Sequence, residues 1–381
     1  MSEKFKNILI TGGAGFIGSN VALKLLAQGY EVTVLDSLEK QIHGEEPEKS
    51  QLYLSIKNKV NFIKGSVTDR KIMEEQLSKA DAVIHLASET GTGQSMYEIE
   101  KYCGTNIGGT ALLLDILANK KTPVKKVIVA ESRAIYGEGK YICEKCGVVY
   151  PVARKESDML KGDFAVKCPC CGKDVKLVAT DEKSKIHPTS VYGITKQVEG
   201  ELVHCVCQAI GIPSVSFRYQ NVYGPGQSLK NPYTGILSIF SNSLRQNNDI
   251  NIFEDGTESR DFVYIDDVAD ATILAIENDK CAYKAFNIGT GVSVDVLTVA
   301  KTLKDFYKSN SKISVSGNFR LGDIRHNFAD ISLAKDILGY EPKFTFEQGL
   351  KKFCDWVLTQ PIEKDMYKKS LDEMKAKGLY K

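Results

Sequence analysis

The feature that most constrains this chain is a set of glycines following a short apolar run near its start. Residues 7–11 have the composition of a buried strand, Gly12, Gly15 and Gly18 follow in a GxxGxxG spacing, and 18–28 have a helical pattern. A plain tight turn also explains isolated glycines. Between a strand and a helix, however, they permit the turn, admit a phosphate to the backbone and let the helix pack closely. A helix N-terminus also attracts an anion. The residues predicted to contact a dinucleotide here are Gly12, Gly15, Phe16, Ile17 and Gly18.

An acidic residue follows at the distance that such a loop requires. Asp36 lies just past a second apolar run at 31–35. A carboxylate at this place accepts hydrogen bonds from a ribose diol and repels a 2′-phosphate, which favours NAD over NADP. The alternative is an aspartate that only caps the end of the strand.

Short β-branched runs alternate with helical stretches, which predicts right-handed βαβ units and a parallel sheet. The apolar runs are continuous, as expected for strands buried on both faces. The predicted fold is α/β, with a Rossmann-type doubly wound sheet over 1–211 and a smaller C-terminal α/β lobe over 212–381, interleaved with it, that binds mainly the substrate. The predicted strands are 7–11, 31–35, 60–64, 82–86, 126–130 and 213–219, with a helix at 105–119.

Composition excludes several classes of protein. The 381 residues carry 50 Lys+Arg against 48 Asp+Glu, a net charge of +2, which argues against nucleic acid or an anionic membrane surface as a partner. The N-terminal apolar run is too short for a signal peptide or a membrane span, and no later run is long enough to cross a membrane. We therefore expect a globular, cytoplasmic protein.

A second constellation lies further along the chain. Tyr192 and Lys196 are four residues apart in a predicted helix, so both side chains lie on one face. The lysine ammonium stabilises a phenolate, which makes Tyr192 a candidate general base for a hydroxyl proton. An isolated pair with this spacing belongs by default to a solvated helix face, but this one follows a dinucleotide loop. Ser132 comes just after the fifth strand, at the edge where ligands bind in such folds.

These elements occur together with further motifs in a fixed order. The chain resembles the extended short-chain dehydrogenase/reductase family of NAD-dependent nucleotide-sugar epimerases and dehydratases, over nearly its whole length outside 140–186. The motifs are TGGAGFIG at 11–18, HLAS at 85–88, SRAIYGEG at 132–139, YGITK at 192–196, FRYQNVYGPGQ at 217–227, SRDFVYIDDVADA at 259–271, FNIGTG at 286–291 and RLGDIRHNFADISLAKDILGYEP at 320–342.

The resemblance implies roles for particular residues. Ser132, Tyr192 and Lys196 take the catalytic positions, and Tyr192 and Lys196 also contact NAD. Further cofactor contacts are expected from Ser66, Val67, Leu86 and Ala87. Many relatives carry an aspartate where this chain has Ser66, which puts the affinity for the adenine in doubt. The resemblance also implies a homodimer, formed through the helices at about 105–119 and 192–209.

The residues after Ser132 bear on the type of reaction. Relatives that eliminate water carry an Asp-Glu pair there, and decarboxylating relatives carry a Glu two residues on, whereas this chain has Arg133 and Ala134. What remains is oxidation at C4 of the sugar and return of the hydride to the other face, which is 4-epimerisation. A reductase or dehydrogenase that releases an oxidised or reduced product is the alternative.

The substrate is expected to be a nucleotide-diphosphate sugar. The resemblance implies that Arg260 and Arg325 bind the diphosphate. It implies that Asn221 contacts the sugar or its diphosphate, and Arg133 is a further expected substrate contact. The alternative for Arg260 and for Arg325 is that each is only a surface ion-pair partner. The branch of the family that the chain resembles contains enzymes converting dTDP-L-rhamnose to dTDP-6-deoxy-L-talose. The alternative substrates are a UDP-hexose or a UDP-uronate.

Five of the ten cysteines lie in the segment that interrupts the family pattern, between 143 and 171. Two CxxCG knuckles there predict a structural zinc site in an insertion over 140–180, with Cys143, Cys146, Cys168 and Cys171 as ligands. Cys170 in place of Cys171 is the alternative. Because the insertion connects Ser132 to Tyr192, a lid over the substrate is the hypothesis for it.

Two further expectations concern the rest of the chain. The tail from residue 364 is predicted to be an exposed, weakly amphipathic helix. The remaining cysteines are predicted to be buried packing residues. They are at positions 103, 205, 207, 281 and 354.

Overall fold

Strands and helices alternate along most of the chain. The computed structural model describes residues 5–229, 231, 235–362 and 367–381, without the side chains of 367–370. The strands are β1 (Asn7–Thr11), β2 (Glu31–Asp36), β3 (Asn61–Lys64), β4 (Ala82–His85), β5 (Lys126–Ser132), β6 (Tyr141–Cys143), β7 (Gly147–Val149), β8 (Lys176–Leu177), β9 (Ser214–Tyr219), β10 (Asn221–Tyr223), β11 (Ile250–Ile252), β12 (Ser259–Arg260), β13 (Phe262–Tyr264), β14 (Lys284–Ile288), β15 (Val294–Asp295), β16 (Ile313–Val315) and β17 (His326–Asn327). The helices are α1 (Phe16–Ala27), α2 (Lys40–His43), α3 (Gln51–Ile56), α4 (Arg70–Leu77), α5 (Thr92–Ser95), α6 (Ile99–Tyr102), α7 (Gly109–Asn119), α8 (Glu156–Met159), α9 (Val191–Ala209), α10 (Ile236–Arg245), α11 (Ile265–Glu277), α12 (Val296–Tyr307), α13 (Ser332–Leu338), α14 (Phe346–Leu358) and α15 (Tyr367–Ala376).

The central sheet has seven strands in the order β3-β2-β1-β4-β5-β9-β14, and every neighbouring pair is parallel. The chain runs outward from β1 to β3 and then returns to β4 on the other side of β1. The strand order therefore reverses between β1 and β4, which is where open α/β sheets bind their ligands. The predicted doubly wound fold is confirmed.

Both faces of this sheet are covered. Successive side chains of β1 enter different apolar clusters, with Ile8 and Ile10 in the cluster that contains residues of α1 and α11. Leu9 points to the opposite face, into the cluster that contains residues of α7 and α9. Alternate residues of a strand point to opposite faces, so a strand covered on both sides is apolar throughout. This accounts for the continuous apolar runs in the sequence.

A second apolar core belongs to the C-terminal part of the chain. It packs α10, α12 and α14 against β11 and β13, and the short strands there form the pairs β10-β13 and β11-β16 and the triplet β15-β12-β17. The two last strands of the central sheet, β9 and β14, come from the same part of the sequence. The C-terminal lobe is therefore interleaved with the sheet.

Three sequence expectations differ from the structure in detail. The helix predicted over 105–119 is a π-helical turn, Cys103–Gly108, followed by α7. The tail is partly packed against the rest of the chain: Met374 of α15 is buried, and Leu379 and Lys381 form main-chain hydrogen bonds with residues 319–321. Residues 364–366, where this helix was predicted to start, lie outside the described residues. Of the cysteines assigned to packing, Cys205 is exposed.

No helix in the part of the chain that the structure describes has both the length and the apolar composition needed to cross a membrane.

Candidate active site

One cavity at the carboxyl edge of the central sheet collects most of the residues predicted to bind ligands. Its volume is about 650 Å³, within the range of small-molecule sites. All predicted cofactor contacts line it, namely Gly12, Gly15, Phe16, Ile17, Gly18, Asp36, Ser66, Val67, Leu86, Ala87, Tyr192 and Lys196. The loops after β1 and β4 both contribute, so the cavity lies at the point where the strand order reverses.

The glycine loop between β1 and α1 requires glycine for steric reasons. Gly12 has φ of +67°, and a Cβ atom there would lie 2.7 Å from the backbone of Ala87. A Cβ atom at Gly18 would lie 2.5 Å from the carbonyl oxygen of Gly12. No side chain caps the N-terminus of α1, so its first N–H groups are left for an anion.

Asp36 ends β2 and is 9% exposed. Its Oδ2 accepts a hydrogen bond from the backbone N–H of Ala14 at 2.9 Å, and its Oδ1 accepts one from Leu38 at 2.8 Å. The carboxylate therefore holds the glycine loop in place. Each oxygen has a second acceptor position, so a ribose diol could still bind from the cavity.

Ser132, Tyr192 and Lys196 line this same cavity. Ser132 is the last residue of β5 rather than the second residue after it. The start of α9 is fixed because Ser190 accepts a hydrogen bond from Gly193 N–H at 3.1 Å, and Ser95 accepts one from Tyr192 N–H at 3.0 Å. The fold thus brings the hydroxyl of Ser132 to the same cavity as the phenol and the ammonium, which lie 60 and 64 residues further along the chain.

The protein itself holds the ammonium of Lys196. Its Nζ lies 2.7 Å from Oε2 of Glu199, and both side chains are buried. Burial raises the pKa of Glu199 to about 7, while the lysine opposes this shift. Behind this pair, Glu131 accepts a hydrogen bond from Arg218 Nε at 2.9 Å, and Gly200 makes room because a Cβ atom there would collide with Glu131. A buried row of charges therefore extends from the cavity into the core.

His85, in the HLAS motif, is a buried structural residue. Its Nδ1 lies 2.7 Å from the Thr11 hydroxyl and its Nε2 lies 3.1 Å from that of Thr110. Burial, followed by the positive charge of Lys196, lowers the pKa of His85 to about 3. The imidazole is therefore neutral and links β1, β4 and α7 below the cavity.

Several cavity residues were not singled out from the sequence. Glu89 lies 3.3 Å from Lys101 Nζ, and its backbone N–H donates to Asn106 Oδ1 at 2.7 Å. The whole side-chain amide of Gln220 and the Oε1 of Gln227 are buried without a hydrogen-bond partner among the described residues. Both glutamines lie in the FRYQNVYGPGQ motif, and this motif is the sequence feature that could have identified them as site residues.

Arg260 and Arg325 do not line the cavity, in contrast to their predicted role as substrate contacts. Arg260 donates to three main-chain oxygens of its own lobe at 2.6–2.8 Å. Arg325 lies 2.9 Å from Glu254 and 2.6 Å from Asp255. Arg325 is thus paired with carboxylates of its own lobe, but it is buried and is not the surface ion-pair partner that was the alternative.

Arg133 and Asn221 do line the cavity. Arg133 follows Ser132 in a short 3-10 turn, Arg133–Tyr136. Its Nε donates to Oδ1 of Asn221 at 2.8 Å. The two substrate contacts predicted independently are thus hydrogen-bonded to each other.

The four predicted zinc ligands converge. The Sγ atoms of Cys143, Cys146, Cys168 and Cys171 all lie within 4.8 Å of one another, and those of Cys143 and Cys171 are 3.6 Å apart. Four thiolates at about 2.3 Å from a tetrahedral zinc are roughly 3.8 Å apart, whereas disulfide sulfurs are about 2.05 Å apart. The donor set fits a metal, and Cys170 lies exposed outside the group.

The insertion itself is a three-stranded antiparallel sheet, β7-β6-β8, with a small apolar core. None of the cavity-lining residues comes from 140–180, so the geometry does not support the lid hypothesis. The insertion docks on the C-terminal lobe through Arg154, whose Nη atoms lie 2.5 and 2.8 Å from the carboxylate oxygens of Glu254. Its Nε lies 3.4 Å from Glu138.

Comparison with known proteins agrees with the geometry. The pattern of the NAD dependent epimerase/dehydratase family matches residues 8–154 and 170–289. The chain is 35% identical to the dTDP-L-rhamnose 4-epimerase of Burkholderia thailandensis, covering 92% of this chain and 95% of that one. It is similar to the crystal structure of UDP-glucose 4-epimerase from Thermotoga maritima (32% identity, TM-score 0.76, 92% and 98% covered). It is also similar to that of UDP-glucuronic acid 4-epimerase from Bacillus cereus with NAD (26%, 0.75, 92% and 99%). The chain therefore belongs to the NAD-dependent epimerase/dehydratase family.

Proposed function

We propose that the protein is an NAD-dependent nucleotide-sugar 4-epimerase, an isomerase. The observation that carries the proposal is one cavity lined by Ser132, Tyr192 and Lys196 together with the glycine loop and Asp36. A family member needs both parts to oxidise a sugar hydroxyl next to a bound dinucleotide.

Each part of the cavity has a chemical task. Tyr192 removes the proton of the C4 hydroxyl, Ser132 holds the reacting oxygen, and Lys196 stabilises the phenolate. The glycine loop and Asp36 would hold NAD⁺, which would supply an acceptor for the C4 hydride and a donor for its return to the opposite face of the sugar. The side-chain amide of Gln220 and the Oε1 of Gln227, which have no partner among the described residues, offer hydrogen bonds to the sugar nucleotide. Tyr192 then returns its proton to the oxygen of the opposite epimer.

Epimerisation is favoured over elimination or decarboxylation because the two residues that follow Ser132 provide no acid or base. Arg133 stays protonated and Ala134 has no polar group. The relatives named as 4-epimerases agree with this. A reductase or dehydrogenase would change the nicotinamide absorbance at about 340 nm, whereas an epimerase regenerates its cofactor.

For the substrate, we propose dTDP-L-rhamnose, converted to dTDP-6-deoxy-L-talose. The support is the 35% identity to a dTDP-L-rhamnose 4-epimerase along nearly the full length of both chains. A UDP-hexose or UDP-uronate is the alternative, since the solved structures of a UDP-glucose and a UDP-glucuronic acid 4-epimerase match the chain with TM-scores of 0.76 and 0.75.

We also propose that the four-cysteine cluster binds a structural zinc ion. Four protein ligands leave no coordination position for a substrate, and the insertion has only a small core to fold around. Replacement of Cys143 with serine is expected to lose about one zinc per chain in metal analysis and to destabilise the insertion. Cys170→Ser, in the same knuckle but outside the cluster, is the matched control and keeps its zinc. Equal zinc content in both variants would contradict the assignment.

Three coarser proposals complete the functional description. Residues 1–211 mainly bind the cofactor and 212–381 mainly bind the nucleotide sugar. The protein acts as a homodimer through the helices at about 105–119 and 192–209. It works in the cytoplasm, a compartment that keeps cysteines reduced, and none of the ten cysteines, all of them within the described residues, forms a disulfide.

The proposed reaction is tested by incubating purified protein with UDP-, dTDP- and GDP-sugars and following epimer formation by NMR. Tyr192→Phe is expected to lower turnover by at least about 10²-fold, with NAD still bound. Tyr283→Phe, at an exposed tyrosine outside the cavity, is the control and keeps full activity. Wild-type rates in Tyr192→Phe, or no epimer from any sugar with the native chain, would refute the proposal.

A further inference from the structure

Among the described residues that line the cavity, one cation has no carboxylate partner in the protein. Of the lysines and arginines among its described lining residues, Lys101 lies 3.3 Å from Glu89 and Lys196 lies 2.7 Å from Glu199. Arg133 is the third, and no carboxylate of the described chain lies within 4.0 Å of its guanidinium.

The surroundings of Arg133 increase the need for an anion. Its single hydrogen bond within the described residues runs from Nε to Asn221, which leaves both Nη atoms free to donate. Burial, followed by the positive charge of Arg260, lowers the pKa of Arg133 to about 9. A guanidinium that loses hydration and also faces a second cation is stabilised when anionic oxygens bind it.

The other arginines of this region have partners already. Arg325 is held by two carboxylates and Arg260 by main-chain oxygens, and neither reaches the cavity. A nucleotide-diphosphate sugar brings at least two negative charges into the same space. Within the part of the chain that the structure describes, the guanidinium next to Ser132 is therefore the cation left to bind the substrate's charge.

We infer that Arg133 is the anion-binding group of the substrate cavity and that its two Nη atoms bind anionic oxygens of the nucleotide sugar. The inference rests on the proposed function. Two parts of a nucleotide sugar present such oxygens, the diphosphate and, in a uronate, the carboxylate at C6. Arg133 also orients Asn221 through its Nε, so a planar fork, and not only a positive charge, is required at this position.

Equilibrium binding separates the two sources. Dissociation constants are measured by calorimetry for UDP, UDP-glucose and UDP-glucuronate, and for dTDP, with the NAD-loaded native chain and with Arg133→Gln and Arg133→Lys. If Arg133 binds the diphosphate, Arg133→Gln weakens all four ligands by about 10- to 100-fold. If it binds the carboxylate, only UDP-glucuronate weakens. Arg133→Lys recovers part of the loss in either case, because it keeps the charge and loses the fork.

Two measurements guard against misfolding and against failure of the proposed function. NAD content and melting temperature of each variant are compared with those of Arg70→Gln, at an exposed arginine outside the cavity. Affinities for all four ligands within about twofold of the native chain in Arg133→Gln would overturn this inference alone, while epimer formation by the native chain would still support the proposed function. If the native chain binds none of the four ligands, both are overturned.

Discussion

The ion pair between Arg154 and Glu254 gives the most direct test of how the insertion is attached. Arg154 belongs to the insertion and is 5% exposed in its side chain, and Glu254 belongs to the C-terminal lobe and is 3% exposed. Two Nη–Oε contacts join them, and Arg154 also donates to the main-chain oxygen of Asp323 at 3.0 Å. Replacement with methionine keeps most of the apolar volume and removes all of these bonds.

The expected loss follows from the burial of the partners. Removing one member of a buried ion pair costs about 3–5 kcal/mol, since the other charge is left without compensation. Glu254 keeps Arg325 at 2.9 Å, so we expect the lower end, about 3 kcal/mol, for Arg154→Met. At about 2.1 cal/mol/K of unfolding entropy per residue, this loss lowers the melting temperature of a 381-residue chain by roughly 4 °C.

The assay is urea and thermal unfolding followed by the fluorescence of Trp356, the single tryptophan of the chain, which packs against the core of the C-terminal lobe. Glu254→Gln and the double variant complete a thermodynamic cycle, with a coupling energy of about 1–3 kcal/mol expected. Arg70→Gln, at an exposed ion pair, is the control. A loss below about 1 kcal/mol for Arg154→Met would refute the idea that buried charge fastens the insertion to the lobe.

Two further predictions concern the glycine loop and a buried acid. Gly18→Ala places a Cβ atom 2.5 Å from the Gly12 oxygen. We expect this change to lower the free energy of unfolding by about 1–3 kcal/mol and to weaken NAD binding in a calorimetric titration. Gly104→Ala, whose Cβ atom meets nothing within 4 Å, is the control, and equal NAD affinity in both variants would contradict the prediction. Burial, followed by the charge of Glu254, raises the pKa of Glu258 to about 7. The native state then binds the extra proton, so stability falls as pH rises from about 4.5 to 7. Glu258→Gln is therefore expected to raise the free energy of unfolding by roughly 1–3 kcal/mol at pH 8 and by little at pH 5. The measurement is urea unfolding at both pH values, and a stabilisation that is the same at both would contradict the prediction.

The strands and the cofactor loop could be predicted because their signals are local. Residues 7–11 and Gly12 to Gly18 are contiguous, so the apolar run, the glycine spacing and the helical pattern that follows are recognised together. The π-helical turn Cys103–Gly108 was missed because its apolar pattern does not differ from that of an α-helix. The tail was predicted as exposed because the residues that cover Met374 lie elsewhere in the chain.

The candidate site also has some features that local sequence signals predict and others that depend on tertiary packing. Tyr192 and Lys196 lie on one helical turn, so their spacing alone places them on one face. The cysteine ligands are recognisable because each pair is held by a single tight turn. Neither the partner of Lys196, which is Glu199, nor the unpaired state of Arg133 follows from a motif, because both depend on what else packs around them.

The sequence by itself determined the doubly wound sheet, the glycine loop with Asp36, the Ser132, Tyr192 and Lys196 set and the four clustered cysteines. Tertiary structure decided where the long cationic side chains go. Arg325 and Arg260 remain within their own lobe, and Arg154 fastens the insertion to that lobe. Arg133 keeps its charge unpaired, in contrast to the other described cations of the cavity. The physical reason is that an arginine can pair with a carboxylate about 100 residues away in the chain. Which carboxylate it pairs with depends on burial and distance, and both are set only when the chain has folded.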